Sequence, residues 1–159
     1  MKKLVLFLSL LLLPNGALAE RSIIVSFSNA TLTVSEDGQS VMQTPVVLPR
    51  GNFYPVPVSG TVTSAVMGPR WTPTPRMIAT GKYRNSYGPY EAGNAMGHCK
   101  VSISFDITHR ILRYVRIHGN AQPEDLGRNL SSGCIRTPDA LCEMLTSLAR
   151  PGDRVHFVP

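Results

Sequence analysis

The sequence predicts a mostly β domain with one main helix. Three observations carry this: short β-branched runs separated by turn residues, strict alternation in Val101, Ile103 and Phe105, and only one stretch with helical spacing. The first strands are Ser22–Phe27 and Thr31–Val34. Glu36-Asp37-Gly38 then supplies an Asp-Gly turn signal before Val41-Met42 and Val46–Leu48, which reads as a hairpin and a further strand. Gly60–Met67 alternates loosely. Val101–Phe105 places serines between its apolar residues, the pattern of a strand with one buried face. The spacing predicts a strand over Ile111–Ile117, reached through the polar connection Asp106–Arg110, and a last strand at Val155–Val158. Between Gly68 and His98, four prolines, several glycines, Trp71, Tyr83, Tyr87 and Tyr90 argue against long regular elements. That segment is either a meandering loop or a groove wall with rigid aromatic contacts. The helix starts with Thr137 as cap, Pro138 in its first position and Asp139 at its positive end. Leu141, Met144, Leu145 and Leu148 form its apolar stripe, and Pro151-Gly152 stops it after Arg150.

The chain has 159 residues, which is the size of one domain. Lys2 and Lys3, the apolar run Leu4–Leu13 and the small residues of Ala17-Leu18-Ala19 make residues 1–19 a secretory signal peptide. The apolar run is too short to span a bilayer, which takes about 20 residues. The expected domain is therefore residues 20–159, exported, with no stable membrane anchor once the signal is cut. That part holds 14 basic and 10 acidic residues, a net charge of +4, and 12 of the 14 are arginine. The arginines are scattered rather than gathered in a stripe, which argues against nucleic acid and suits a carboxylate-bearing partner. No metal-ligand spacing stands out. His98 and Cys99 are adjacent, so a zinc site from His98, Cys99, His118 and Cys134 is the weakest reading.

Three cysteines, Cys99, Cys134 and Cys142, leave at least one without an internal partner. Cys134 precedes the helix start by three residues and has Arg136 nearby, two influences that favour thiolate. Gly133 permits a tight bend that can gather backbone N–H groups around an oxyanion. His118, at a strand end, supplies a base. A Cys–His pair so placed fits acyl transfer; a bonded or inert Cys134 is the alternative.

Ile117-His118-Gly119, a loop of about a dozen residues and Ser131-Ser132-Gly133-Cys134-Ile135-Arg136 resemble the signature of the L,D-transpeptidases, the YkuD-type catalytic domain. Thr72-Pro73-Thr74-Pro75, Asn94-Ala95-Met96-Gly97 and Arg150-Pro151-Gly152-Asp153-Arg154-Val155 resemble further stretches of that family, in the same order. The resemblance departs at Ser132, where the family usually has histidine, at Pro75 and Arg76, and at Ala95. It implies a β-sandwich of mixed strands with one main flanking helix. It implies Cys134 as nucleophile, His118 as general base and acid, and the Gly119 carbonyl orienting His118. Backbone N–H groups of Ser132, Gly133 and Cys134 would form the oxyanion hole. Arg136, Ser131, Trp71 and Tyr83 are the candidate substrate-binding residues; for Arg136 a structural salt bridge is the alternative. The implied substrates are peptidoglycan stem peptides, met in the periplasm or cell-wall space by a monomer that needs no metal or organic cofactor. Water as acceptor would make the enzyme an L,D-carboxypeptidase, and loss of activity would leave a cell-wall binding domain. Cys99 and Cys142 either form a disulfide that pins the helix to the sheet or remain buried thiols.

Overall fold

The structure is a computed structural model that describes residues 19–51 and 54–159. The expected signal peptide, but for Ala19, lies outside the described residues. The described residues form ten strands: β1 (Arg21–Ser26), β2 (Thr31–Glu36), β3 (Gln39–Pro45), β4 (Leu48–Pro49), β5 (Val58–Met67), β6 (Cys99–Phe105), β7 (Arg116–His118), β8 (Asn129–Ser131), β9 (Ile135–Arg136) and β10 (Arg154–Val158). The helices are α1 (Pro75–Ile78) and α2 (Asp139–Leu148). Eight strands form one mixed sheet in the order β3-β2-β1-β10-β5-β6-β7-β9. The pairs β1–β10 and β7–β9 are parallel, and β4 and β8 form a second, two-stranded parallel sheet.

The sheet curls because its two edges are tied to one another. β3 lies at one edge and β9 at the other. The chain leaving β3 runs directly to Val47, which exchanges both backbone hydrogen bonds with Arg136 of β9, at 2.9 and 3.0 Å. The β9 edge is thereby covered. Residues from both ends, Leu32 and Val34 of β2 with Ile117 of β7 and Ile135 of β9, belong to one buried core. Phe157 sits at its centre, with Phe27, Tyr54 and Phe105 rings 5.2–5.9 Å away in tilted or edge-on contacts. The β2–β3 turn is the two-residue Asp37-Gly38, both at positive φ, which matches the strand twist.

Three expectations change. Ile111–Ile117 is not a strand: Leu112–Tyr114 is a 3-10 turn and only Arg116–His118 pairs. Leu112 and Val115, three apart, are buried while Tyr114 is exposed, so the segment packs at helical rather than alternating spacing. Thr137 does not cap α2. It is buried, its N–H donates to the His118 carbonyl at 2.9 Å, and Pro138 takes the cap position, so the helix begins at Asp139. In α2, Met144 is exposed and Cys142 is buried in its place, because the face turned to β6 runs through Cys142 and Leu145. The Gly68–His98 segment contains α1, which Thr74 caps by accepting from the Met77 N–H at 3.3 Å.

Candidate active site

The parallel pair β7–β9 positions the candidate chemistry. Its register sets Ile117 opposite Ile135 and His118 opposite Arg136. Both isoleucines are fully buried in the core. Strand alternation therefore sends His118 and Arg136 to the other face, together with Cys134, which enters β9 one residue before Ile135. There His118, Cys134 and Arg136 line a cleft of about 520 Å³, with Trp71, Tyr83 and Asp125 on its walls. A second cleft, about 630 Å³, reaches Cys134 from the opposite side between Arg110, Ile111, Arg113 and Tyr114. Cys134 borders both.

The turn before Cys134 is held from within. Ser131 Oγ accepts the Gly133 N–H at 3.2 Å and donates to the Cys134 carbonyl at 2.5 Å. Gly133 has φ 142°, a conformation that favours glycine. Its carbonyl accepts a hydrogen bond from the buried Tyr54 hydroxyl. Ser131 is buried, organises the turn, and lines the same cleft as Cys134. The Gly133 N–H is already engaged by Ser131, whereas the Ser132 and Cys134 N–H groups have no hydrogen bond among the described residues.

His118 is almost fully buried. Its Nδ1 lies 2.9 Å from the Gly119 carbonyl, which can only accept, so Nδ1 carries the proton and Nε2 keeps its lone pair. Burial is the main cause that lowers its pKa to about 4; Arg136 adds to this, and backbone acceptors and Asp139 oppose it. The imidazole is thus neutral at neutral pH. Cys134 is the one free cysteine, half-buried, with Sγ 3.8 Å from the Tyr114 carbonyl. Burial pushes its thiol pKa up, outweighing the opposing pull of Arg116. The expected lowering fails for a structural reason: β9 stands between Cys134 and α2, so the thiol is five residues from the helix start. The resting pair is neutral thiol and neutral imidazole.

Arg136 pairs with Asp125, Nη2 to Oδ2 at 3.2 Å, and its buried Nε has no partner among the described residues. Trp71 packs edge-on to Tyr83 at 5.6 Å and bridges to Tyr87 through two backbone hydrogen bonds. Cys99 and Cys142 are bonded to each other, Cα atoms 5.6 Å apart, and fasten β6 to α2 away from the cleft. Tyr54 and Asp125 belong to the site's framework and were not singled out by sequence. Tyr54 lies in a proline-rich stretch without periodicity, and Asp125 in a loop ordinary in composition.

A family model described as YkuD, L,D-transpeptidase catalytic domain, matches residues 20–157. The chain belongs to this family. No curated protein matches it. Solved structures with the L,D-transpeptidase fold do. One from Mycobacterium smegmatis has TM-score 0.65 and 18% identity, covering 89% of this chain and 59% of that one. One from Mycobacterium tuberculosis H37Rv has TM-score 0.62 and 20% identity, covering 89% and 58%. L,D-transpeptidase 3 of Mycobacterium tuberculosis, in complex with a faropenem-derived adduct, has TM-score 0.63 and 20% identity, covering 89% and 61%. The chain thus spans about three-fifths of the length of these relatives. Their shared architecture is the mostly β, curled mixed sheet with few helices described above.

Proposed function

We propose that this chain is an exported L,D-transpeptidase that acts on peptidoglycan stem peptides through a Cys134 thioester. The observation that carries the reading is the free Cys134 bordering one cleft with His118, whose Nδ1 is held by Gly119. Cys134 Sγ attacks the carbonyl joining the third and fourth stem residues, an L-centre of a diamino acid linked to D-alanine. His118 Nε2 takes the thiol proton and passes it to the departing D-alanine amine. The oxyanion that forms is met by the Cys134 and Ser132 N–H groups, whose donors are not otherwise engaged. A second amine then enters and attacks the thioester carbonyl as His118 removes its proton; the C–S bond breaks, an amide forms, and His118 returns the proton to Cys134 Sγ. Two clefts converging on one sulfur suit transfer between two peptides better than hydrolysis. The chemistry takes place in the periplasm or cell-wall space, with residues 1–19 as the export signal.

The test is intact-mass measurement of the mature protein with purified stem tetrapeptides and with faropenem. The expected result is an adduct on each that is absent in Cys134→Ala. No adduct on a protein whose Cys134 thiol is shown to be free would overturn the reading. Product analysis with a second stem as acceptor then separates cross-linking from trimming.

A further inference from the structure

Asp139 is the first residue of α2, yet its side chain reaches away from the helix. Its Oδ1 accepts two backbone N–H groups, from His98 and from Asn120, both at 2.9 Å. The second is the informative one. The Asn120 N–H and the Gly119 carbonyl belong to one planar peptide unit, and in a trans peptide they point in opposite directions. On one side of this unit sits the Asp139 carboxylate; on the other, the Nδ1 of His118, 2.9 Å from Gly119 O.

The geometry points to Asp139 as a positioning residue for the His118 imidazole, acting through the Gly119–Asn120 peptide as a carboxylate–peptide–histidine relay. An anionic acceptor on the N–H polarises the peptide and strengthens its carbonyl as an acceptor. The carbonyl in turn fixes the imidazole's tautomer and plane. This is the orienting function that a carboxylate bound directly to histidine performs in other nucleophilic sites, displaced here by one peptide group.

The surrounding chain is shaped around that carboxylate. A methyl group on Gly119 would stand 2.0 Å from Oδ1, and one on Gly97 2.2 Å. No side chain fits at either position while Asp139 is in place. Asn120 holds φ 65°, a left-handed conformation uncommon outside glycine, which aims its N–H at the carboxylate. The Gly119 N–H is fixed as well, to the Met96 carbonyl at 3.0 Å. Thr137 donates to the His118 carbonyl at 2.9 Å and accepts from the Ala121 N–H at 3.1 Å, so the start of α2 is docked against this turn. The charged and titratable groups facing the relay are few. His118 meets Asp139 from α2 and Arg136 from β9, with Cys134 lining the same cleft. Asp139 faces His98, Nε2 to Oδ2 at 3.9 Å, and His98 Nδ1 meets Glu143 at 2.6 Å.

The inference rests on His118 being the base of the proposed reaction, and its test separates the two. Asp139→Asn keeps an oxygen able to accept both N–H groups and removes the charge. We expect a thermal midpoint close to that of the parent and faropenem acylation slowed about 10- to 100-fold, the size of effect seen when the hydrogen-bond partners of metal-bound histidines are changed. Because the Asp139 charge raises the His118 pKa, the acidic limb of acylation is expected to move to lower pH. The second readout needs no turnover: ring-nitrogen NMR of His118 should show Nδ1–H in both proteins, with the Nδ1 resonance shifted in the variant as the Gly119 carbonyl accepts more weakly. In the parent, the Asn120 amide should also be protected from hydrogen exchange. An Asp139→Asn protein with unchanged acylation limb and unchanged ring nitrogens would overturn the relay. So would a freely exchanging Asn120 amide, whichever way the variant folds. If the parent forms no adduct but its His118 ring-nitrogen resonances depend on Asp139, the relay stands and the transpeptidase reading fails.

Discussion

The Cys99–Cys142 bond gives a quantitative prediction. It closes a segment with a sequence separation of 43 residues, between two residues that are both fully buried. In the chain-entropy description, a closed loop of that length removes roughly 13 cal/mol/K from the unfolded ensemble, or about 4 kcal/mol at 25 °C. For a domain of this size, roughly 3 °C of midpoint accompanies each kcal/mol, so breaking the bond should lower the midpoint by roughly 12 °C. The clean comparison is oxidised against fully reduced protein, both in a Cys134→Ala background. The side chains are then the same in both samples, no cavity is created, and no third thiol can exchange. Calorimetry gives the midpoints, and mass after alkylation counts the thiols. A shift under about 3 °C with complete reduction would refute the reasoning, since it would mean that the bond does not constrain the unfolded chain.

Three further outcomes follow from named contacts. His118 has its folded pKa lowered from 6.5 to about 4; between those values the unfolded chain binds more protons, so stability from this group is full above about pH 6.5 and falls as pH drops toward 4. The drop is about 3 kcal/mol, readable in urea titrations across that range and expected to be absent in His118→Gln. The same lowering sets the acidic limb of acylation near pH 4 rather than near 6.5. Tyr54→Phe removes the donor to the part-buried Gly133 carbonyl, a cost of about 0.5–1.5 kcal/mol; loosening of the turn should also raise the rate at which iodoacetamide labels Cys134, and an unchanged labelling rate would show that the turn is held by Ser131 alone. Gly60→Ala would put a methyl 2.6 Å from the Ser104 carbonyl where β5 crosses β6, costing about 1–3 kcal/mol of overpacking; unfolding measurements should find this loss with the rate of acylation of the folded fraction unchanged.

How far the sequence reveals this molecule depends on whether a segment's partners are local. The Asp37-Gly38 hairpin and the alternation of Val101, Ile103 and Phe105 could be read because turn chemistry and one-sided burial are written in consecutive residues. The Ile111–Ile117 segment misleads for the opposite reason: Leu112 and Val115 suit a strand by composition, and only the core beneath them selects a 3-10 turn. β4, β8 and β9 are two or three residues each, too short to carry a period, and exist because Val47 and Arg136 meet across the closed sheet. At the site, His118, Gly133, Cys134 and Arg136 could be singled out from motif and spacing. Tyr54 could not, because it reaches Gly133 across 79 residues of chain. The polarity of the thiol was also illegible: proximity to a helix start in sequence suggests a lowered pKa, while the intervening strand and burial raise it.

The raised thiol and the lowered imidazole belong to one electrostatic design. If Cys134 and His118 rested as an ion pair, each would stabilise the other's charge, lowering the thiol pKa and raising that of the imidazole. Both move in the opposite direction, each with burial as the leading cause. In the proposed reaction, charge separation would then arise only as attack begins, with the sulfur bonding to carbon and the proton moving to His118. An imidazolium formed there is buried, beside Arg136, and needs a compensating dipole. The Gly119 carbonyl at Nδ1 is that dipole, and the Asp139 carboxylate behind the same peptide favours the positive charge. A chain in which the charge on the nucleophile is absent at rest also gains a practical property: a neutral, half-buried thiol oxidises and alkylates slowly, so reactivity is reserved for a ligand that excludes water from the cleft and presents a carbonyl to the sulfur.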